Sequence, residues 1–234
     1  MQRMALDAVL MEFDGVLVDT TASRREALTS VLAEEGIVIS ESEYRGACAG
    51  RSTTDAVRGV VRLRQLPFDE TDVDLIALRI ERSFSSHLGK GAMMVDGARE
   101  AVERLAGRAR LGIVSRASRR DIEFIVSLAR LDHAFSCIIG SEDAYPQKPS
   151  PAPYLAALRR LERKRPIPAY GVVIALEDGL DGIRSAASAG LRCVAVGDLP
   201  ADVAMEAEAL LASVTGLDAD TLVRLIGRAG ESFA

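Results

Sequence analysis

Tryptophan is absent from this chain, and aromatic residues of all kinds make up 4% of its 234 positions. A core must therefore be built mainly from Ala, Val, Leu and Ile, within a hydrophobic share of 48%, a profile typical of a soluble α/β protein. Histidine is nearly as scarce. His87 and His133 are the whole supply and lie in unrelated contexts, which argues against a zinc site and against a Ser-His-Asp hydrolase. Cys48, Cys137 and Cys193 are far apart, odd in number and without metal spacing, so a reducing cytoplasm is the expected setting. No apolar run approaches a membrane span, and the chain enters a strand within a few residues of its start, leaving no room for a signal peptide. A net charge of −5 with interspersed acids gives no reason to expect a nucleic acid or an acidic membrane surface as partner. Local arginine clusters (Arg24-Arg25, Arg119-Arg120, Arg159 to Arg165) read as solvated helix faces. No Gly-x-Gly-x-x-Gly or Gly-x4-Gly-Lys-Ser/Thr loop follows any strand, so a nucleotide-binding domain lacks support.

What is present is a rhythm. Apolar runs at Ala8 to Phe13, Leu111 to Ser115, Cys137 to Gly140, Gly171 to Leu176 and Cys193 to Gly197 read as strands. Amphipathic patterns at Gly97 to Ala106, Arg119 to Leu131, Pro151 to Arg163 and Gly182 to Ala189 read as helices between the later ones, with Gly190 capping the last. This alternation predicts right-handed crossovers and a doubly wound parallel sheet. A further apolar segment, Ala209 to Val214, precedes a terminal helix from Asp218 to Gly227. The interval 21–87 breaks the rhythm. It reads as helices only: Ser23 to Glu35, Ser40 to Ala47, Ser52 to Gln65 and Asp69 to Ser86, with Ser52-Thr-Thr-Asp55 as an N-terminal cap. The expected organisation is an α/β core over 1–20 and 88–234 carrying an all-α insert over 21–87. Gly15 to Thr20 and Ser86 to Gly91 would be its linkers.

Four strand ends carry polar residues, and a parallel sheet would bring all four to its carboxyl edge, where ligands bind. The first strand ends in Glu12 and Asp14, followed at once by Gly15. Side chains alternate along a strand, so the two acids point the same way, and their repulsion calls for a hard cation such as Mg²⁺. The second strand ends in Ser115, with Arg116 next. Lys148 follows the third in Gln147-Lys148-Pro149-Ser150-Pro151, and the fourth ends in Glu177-Asp178-Gly179. Each feature alone has a plain reading as a turn, a cap or a surface lysine. Their order and spacing together carry the signal.

The set resembles the four motifs of the haloacid dehalogenase-like phosphohydrolases, over essentially the whole chain. The first, Asp-x-Asp-Gly-x-x-x-Asp in that family, appears with Glu12 where the nucleophilic aspartate belongs. The resemblance implies that Asp14 is the general acid and base, that Ser115 holds a phosphoryl oxygen, and that Lys148 balances charge among nucleophile and phosphate. It also implies Mg²⁺ held by Glu12, Asp14, Glu177 and Asp178, with Asp178 the leading ligand. Asp181 reads as a first-turn helix acid, and Asp19-Thr20 as hinge geometry.

An inserted helical cap is similar to that of the subgroup holding phosphoglycolate phosphatases and β-phosphoglucomutases. The implied function is a Mg²⁺-dependent phosphatase-like hydrolase acting on a small phosphorylated metabolite, as a monomer or weak homodimer. Arg24, Arg51 and Arg116 are the candidates for gripping a substrate anion. A mutase is disfavoured: in Gly50-Arg-Ser-Thr-Thr-Asp-Ala-Val57 the mutase arginine position holds Thr53, and Arg24 replaces the histidine of the first cap helix. Glutamate at position 12 adds a methylene, about 1.5 Å of reach. That leaves three readings open: a weak enzyme, a locally readjusted one, or a catalytically silent binding or sensor protein.

Overall fold

The computed structural model describes residues 5–48, 51–91, 93–169 and 171–231. Its first half runs β1 (Ala5–Met11), β2 (Val18–Asp19), α1 (Thr21–Glu34), α2 (Glu41–Glu43), α3 (Thr53–Arg64), α4 (Glu70–Gly91), β3 (Met93–Met94) and α5 (Ala98–Ala106). The second continues through β4 (Arg110–Val114), α6 (Arg119–Leu128), β5 (Phe135–Ile139), α7 (Ala152–Lys164) and β6 (Gly171–Glu177). It closes with α8 (Leu180–Ser188), β7 (Arg192–Val196), α9 (Ala201–Ala204), β8 (Ala209–Leu211) and α10 (Ala219–Glu231). Two compact units emerge, Thr20–Ala92 and the remainder, Met1–Asp19 with Met93–Ala234. Among the described residues no helix is long and apolar enough to cross a membrane.

The larger unit is the doubly wound α/β fold that the alternation predicts. Its six strands lie in the order β5-β4-β1-β6-β7-β8, and every neighbouring pair is parallel. From the central β1 the chain builds outward through β4 and β5 on one side, then through β6, β7 and β8 on the other. The carboxyl end of β1 is therefore the switch point, flanked by the ends of β4 and β6.

Alternation along the strands decides what meets there. Ala8 and Leu10 of β1, Val173 and Ala175 of β6, and Cys193 and Ala195 of β7 are buried together against Tyr154, Ala157 and Leu161 of α7 and Ile183 and Ala186 of α8. Counting on by two, the next residues on that face are Glu12 and Glu177. The ladder reaches Glu12, whose backbone N–H donates to the Leu176 carbonyl at 2.9 Å. A pattern that packs apolar residues under α7 thus ends by delivering two carboxylates to it.

The smaller unit is helical. Ala27, Leu28, Val31 and Leu32 of α1, and Val73, Ile76, Ala77, Ile80 and Phe84 of α4, are buried. Arg79 of α4 pairs with Glu34 and Glu35 at the end of α1. Ser52 caps α3 by accepting from the Asp55 N–H, as its sequence predicts.

Several expectations need correction. Ser86 to Gly91 is helical rather than a break in structure: α4 continues through it, with the Ser86 hydroxyl turned back onto the Ser83 carbonyl at 2.7 Å, inside the helix. The segment after Gly15 is not simply a hinge either, because Val18 and Asp19 pair antiparallel with Met94 and Met93. Ser40 to Ala47 is one short turn, α2, running into a π-helical turn over Tyr44–Cys48. The helix expected to reach Leu131 stops at Leu128, where the chain turns through Arg130 at φ 56°.

Gly112 lies beneath the crowded face just described. A Cβ there would stand 2.7 Å from both Cys137 Sγ and Leu10 Cδ2. Gly112→Ala is therefore expected to cost about 1–3 kcal/mol through overpacking, read as a lower urea midpoint with an unchanged slope.

Candidate active site

The centre of the switch point is a buried ammonium. Lys148 lies between β5 and α7, and its Nζ donates to Glu12 Oε2 at 2.5 Å, to Glu177 Oε1 at 2.5 Å and to the Val114 carbonyl at 2.7 Å. All three N–H groups are thereby used. Lys148 and Glu12 are each 6% exposed and Glu177 1%, so these are charge-assisted bonds out of reach of water. Glu12 Oε1 folds back to accept from the Phe13 N–H at 2.7 Å. Ser115, at the end of β4, also hydrogen-bonds Glu12 through its side chain, while its Oγ accepts from the Ala117 N–H at 3.1 Å. Burial pushes the Glu12 carboxyl up, but the Lys148 charge and these hydrogen bonds outweigh it and leave it below its ordinary value. Glu177 comes out raised: burial dominates, and the Glu12 charge adds to it against Lys148.

Asp178 belongs to a second cluster beside the first. Its carboxylate packs on the backbone of Gly15, where a Cβ would meet Asp178 Oδ2 at 2.1 Å. Gly15 also sits at φ 74°, so this turn needs glycine twice over. β1 has ended at Met11, and Asp14 bridges to Val18 as the chain turns. Burial, then the charges of Glu12, Glu177 and Asp14, hold the Asp178 carboxyl well above its ordinary value. Glu177 faces the other way, towards Lys148 and the Tyr154 hydroxyl, which donates to its Oε1 at 2.5 Å. Its Oε2 lies against Gly182, where a Cβ would be 1.9 Å away.

The model of the haloacid dehalogenase-like hydrolase family matches residues 9–196, from β1 through β7. The chain belongs to that family. Among relatives of this haloacid dehalogenase-like protein, the bifunctional riboflavin kinase/FMN phosphatase of Arabidopsis thaliana is 28% identical over 200 residues. That match takes in 82% of this chain and 48% of the relative, so the chain spans about half that protein's length. Protein CbbY of Rhodobacter capsulatus is also 28% identical over 200 residues, covering 82% of this chain and 85% of CbbY. The crystal structure of CbbY from Rhodobacter sphaeroides in complex with phosphate superposes with a TM-score of 0.68 at 25% identity, over 91% of this chain and 96% of that one.

In this haloacid dehalogenase-like core the acids suit a hard cation. Among the described residues no three His, Cys, Asp or Glu side chains form a ready-made cage. Magnesium does not need one, since it commonly takes one or two protein carboxylates and completes its shell with water and phosphate oxygens. Asp178, half-buried and crowded by like charges, is the group that such a cation would relieve.

The candidate arginines are divided between the two units. Arg116 pairs with Asp181 at 3.2 Å, on a partly exposed surface. Within the helical unit, Arg24 lies over the Phe84 ring at 4.3 Å, donates to Thr20 Oγ1 at 3.2 Å and approaches Glu81 at 3.9 Å. Arg51 is exposed and reaches the Gly46 carbonyl at 3.4 Å. Gly50, which opens the segment compared with mutases, lies outside the described residues. Reading the sequence alone missed Tyr154. The available signal was a tyrosine in the first turn of the helix after Lys-Pro.

Removing Lys148 strands two buried carboxylates. Lys148→Met is expected to cost about 3–5 kcal/mol at neutral pH. Without the ammonium, burial is the largest influence left on both carboxyls and raises them above their ordinary 4.5, against the remaining hydrogen bonds from Ser115, Phe13 N and Tyr154. The folded state then holds more protons than the unfolded one, so the deficit is absent below that value and grows as pH rises. Urea midpoints of both proteins at pH 4 and pH 7 check this; a deficit of equal size at both would contradict it.

Proposed function

We propose that this chain is a Mg²⁺-dependent phosphatase-type hydrolase acting on a small phosphorylated metabolite through a carboxylate at position 12. The observation that carries the reading is the junction of Glu12, Lys148, Glu177 and Ser115 at the switch point, beside the Asp14–Asp178 cluster. One relative is named an FMN phosphatase and another is seen in complex with phosphate, which supports phosphate as the group recognised.

In this reading a Glu12 oxygen attacks phosphorus, and the bond to the leaving oxygen breaks as Asp14 supplies its proton. Asp14 then takes a proton from the water that hydrolyses the acyl phosphate, which frees Glu12 and releases phosphate. Lys148 and Ser115 offset charge on the transferring oxygens, where most of the rate acceleration arises. Bound Mg²⁺, held by Asp178 with Asp14 and Glu12, would neutralise further charge there. Glu177 serves mainly by holding Lys148, since its oxygens are taken up by Lys148, Tyr154 and the packing on Gly182. The helical unit Thr20–Ala92 has the part of a cap, and Arg24, Arg51 and Arg116 remain the candidate anion grips. The free, buried cysteines fit a cytoplasmic setting.

A second reading, a silent phosphate-binding protein, is favoured by one observation: both Glu12 oxygens are engaged, one by its neighbour's N–H and one by Lys148. The extra methylene puts the carboxylate about 1.5 Å from the aspartate position, and a misplacement of about 1 Å costs about 10²-fold in rate.

Hydrolysis of p-nitrophenyl phosphate separates the two. The unaltered chain is expected to turn over slowly, to lose that activity to EDTA and to regain it with Mg²⁺. Glu12→Asp should be faster by about 10²-fold, and Glu12→Asp/Asp178→Asn inactive. Turnover by Glu12→Asp alone would hand the lead to the binding reading, and inactivity of both would sink the hydrolase.

A further inference from the structure

One residue in contact with the Lys148–Glu177 pair lies outside the four motifs. Tyr154 is fully buried in the first turn of α7. Its hydroxyl and Lys148 Nζ share one acceptor, Glu177 Oε1, each at 2.5 Å. The Tyr154 ring also lies beside the ammonium, with Nζ 5.2 Å from its centroid. The other Glu177 oxygen presses on the backbone of Gly182, which leaves no room for it to swing that way. The carboxylate is thus clamped between a helix backbone and a phenol.

A lysine ammonium is a point charge on a flexible stem and has no direction of its own. Its direction here is set by three acceptors: Glu12, Val114 O and Glu177. The Val114 carbonyl is fixed by the sheet and Glu12 is the group proposed to react, so Glu177 is the side-chain reference. Tyr154 is what holds that reference still.

We propose that Tyr154 is a positioning residue, which clamps Glu177 so that Lys148 stays directed at Glu12 without itself touching substrate. Its effect on turnover rests on the hydrolase reading above; its hold on Lys148 does not.

The test is Tyr154→Phe in the full chain, which keeps the ring and removes one oxygen. Lys90, Lys148 and Lys164 are all the lysines of the sequence, so ¹⁵N-lysine labelling gives few ammonium signals, and Lys148→Arg identifies the relevant one. Losing a hydrogen bond to a charged group should speed exchange of the Lys148 ammonium protons by about tenfold. In the Glu12→Asp background, kcat should fall by about the same factor with KM within about twofold. Glu177→Gln, which leaves the phenol in place, should also speed that exchange, and serves if Tyr154→Phe does not fold. An unchanged exchange rate in either folded variant overturns the proposal. So does a fall in melting temperature, with kcat and KM both altered and exchange untouched, because that pattern belongs to packing alone. If no variant turns over any phosphate ester, the hydrolase reading fails by itself and ammonium exchange still decides the role of Tyr154.

Discussion

The structure of the larger unit turns on one buried cation. Taking an ammonium and two carboxylates out of water costs several kcal/mol per ion, and their mutual attraction recovers that only when geometry is tight and the remaining valences are filled. Here they are filled. Lys148 spends its three N–H groups on Glu12, Glu177 and Val114 O, and each of these belongs to a different strand end. The ends of β1, β4 and β6 are thereby tied to the segment leading into α7. The same contacts that make the core tolerable to fold also place a carboxylate, a hydroxyl and an ammonium at the edge where a parallel sheet receives ligands.

Around that cation the arrangement is defined as much by missing atoms as by present ones. Asp178 comes close because Gly15 has no side chain, and Glu177 fits because Gly182 has none. With adjacent positions turned to opposite sides, Glu177 goes to the ammonium and Asp178 to the loop after β1. Two acids adjacent in sequence thus enter different electrostatic settings. Burial raises both carboxyls; at Glu177 the adjacent Lys148 charge works against it, while at Asp178 the charges of Glu12, Glu177 and Asp14 add to it.

The period-two pattern of Ala8, Leu10 and Glu12 and the recurring βα units were legible in the chain, because burial on one sheet face imposes them directly. So were Ser115, Lys148 and Glu177-Asp178 as strand-end residues of one edge. Less legible were features that depend on a partner distant in sequence. Val18-Asp19 and Met93-Met94 are too short to read as strands until they pair. Arg24 looked free for an anion, yet it lies on Phe84, 60 positions away. The continuation of α4 through Ser86 was hidden by serines and glycines that usually mark turns, because local composition does not reveal a hydroxyl bonding back into its own helix.

By itself the sequence determined the fold class, the edge on which the polar strand ends gather and the presence of glutamate at position 12, since each follows from local periodicity or from residue identity. Tertiary structure alone decided that Lys148 is buried with every donor used, that Glu177 answers to it and to Tyr154, and that Glu12 is drawn back onto Phe13 N and Lys148. The reason is that a charge has no periodicity. Where it settles depends on which opposite charges and which empty spaces the packed elements bring within a few ångströms, and that is set only when the sheet and its helices close.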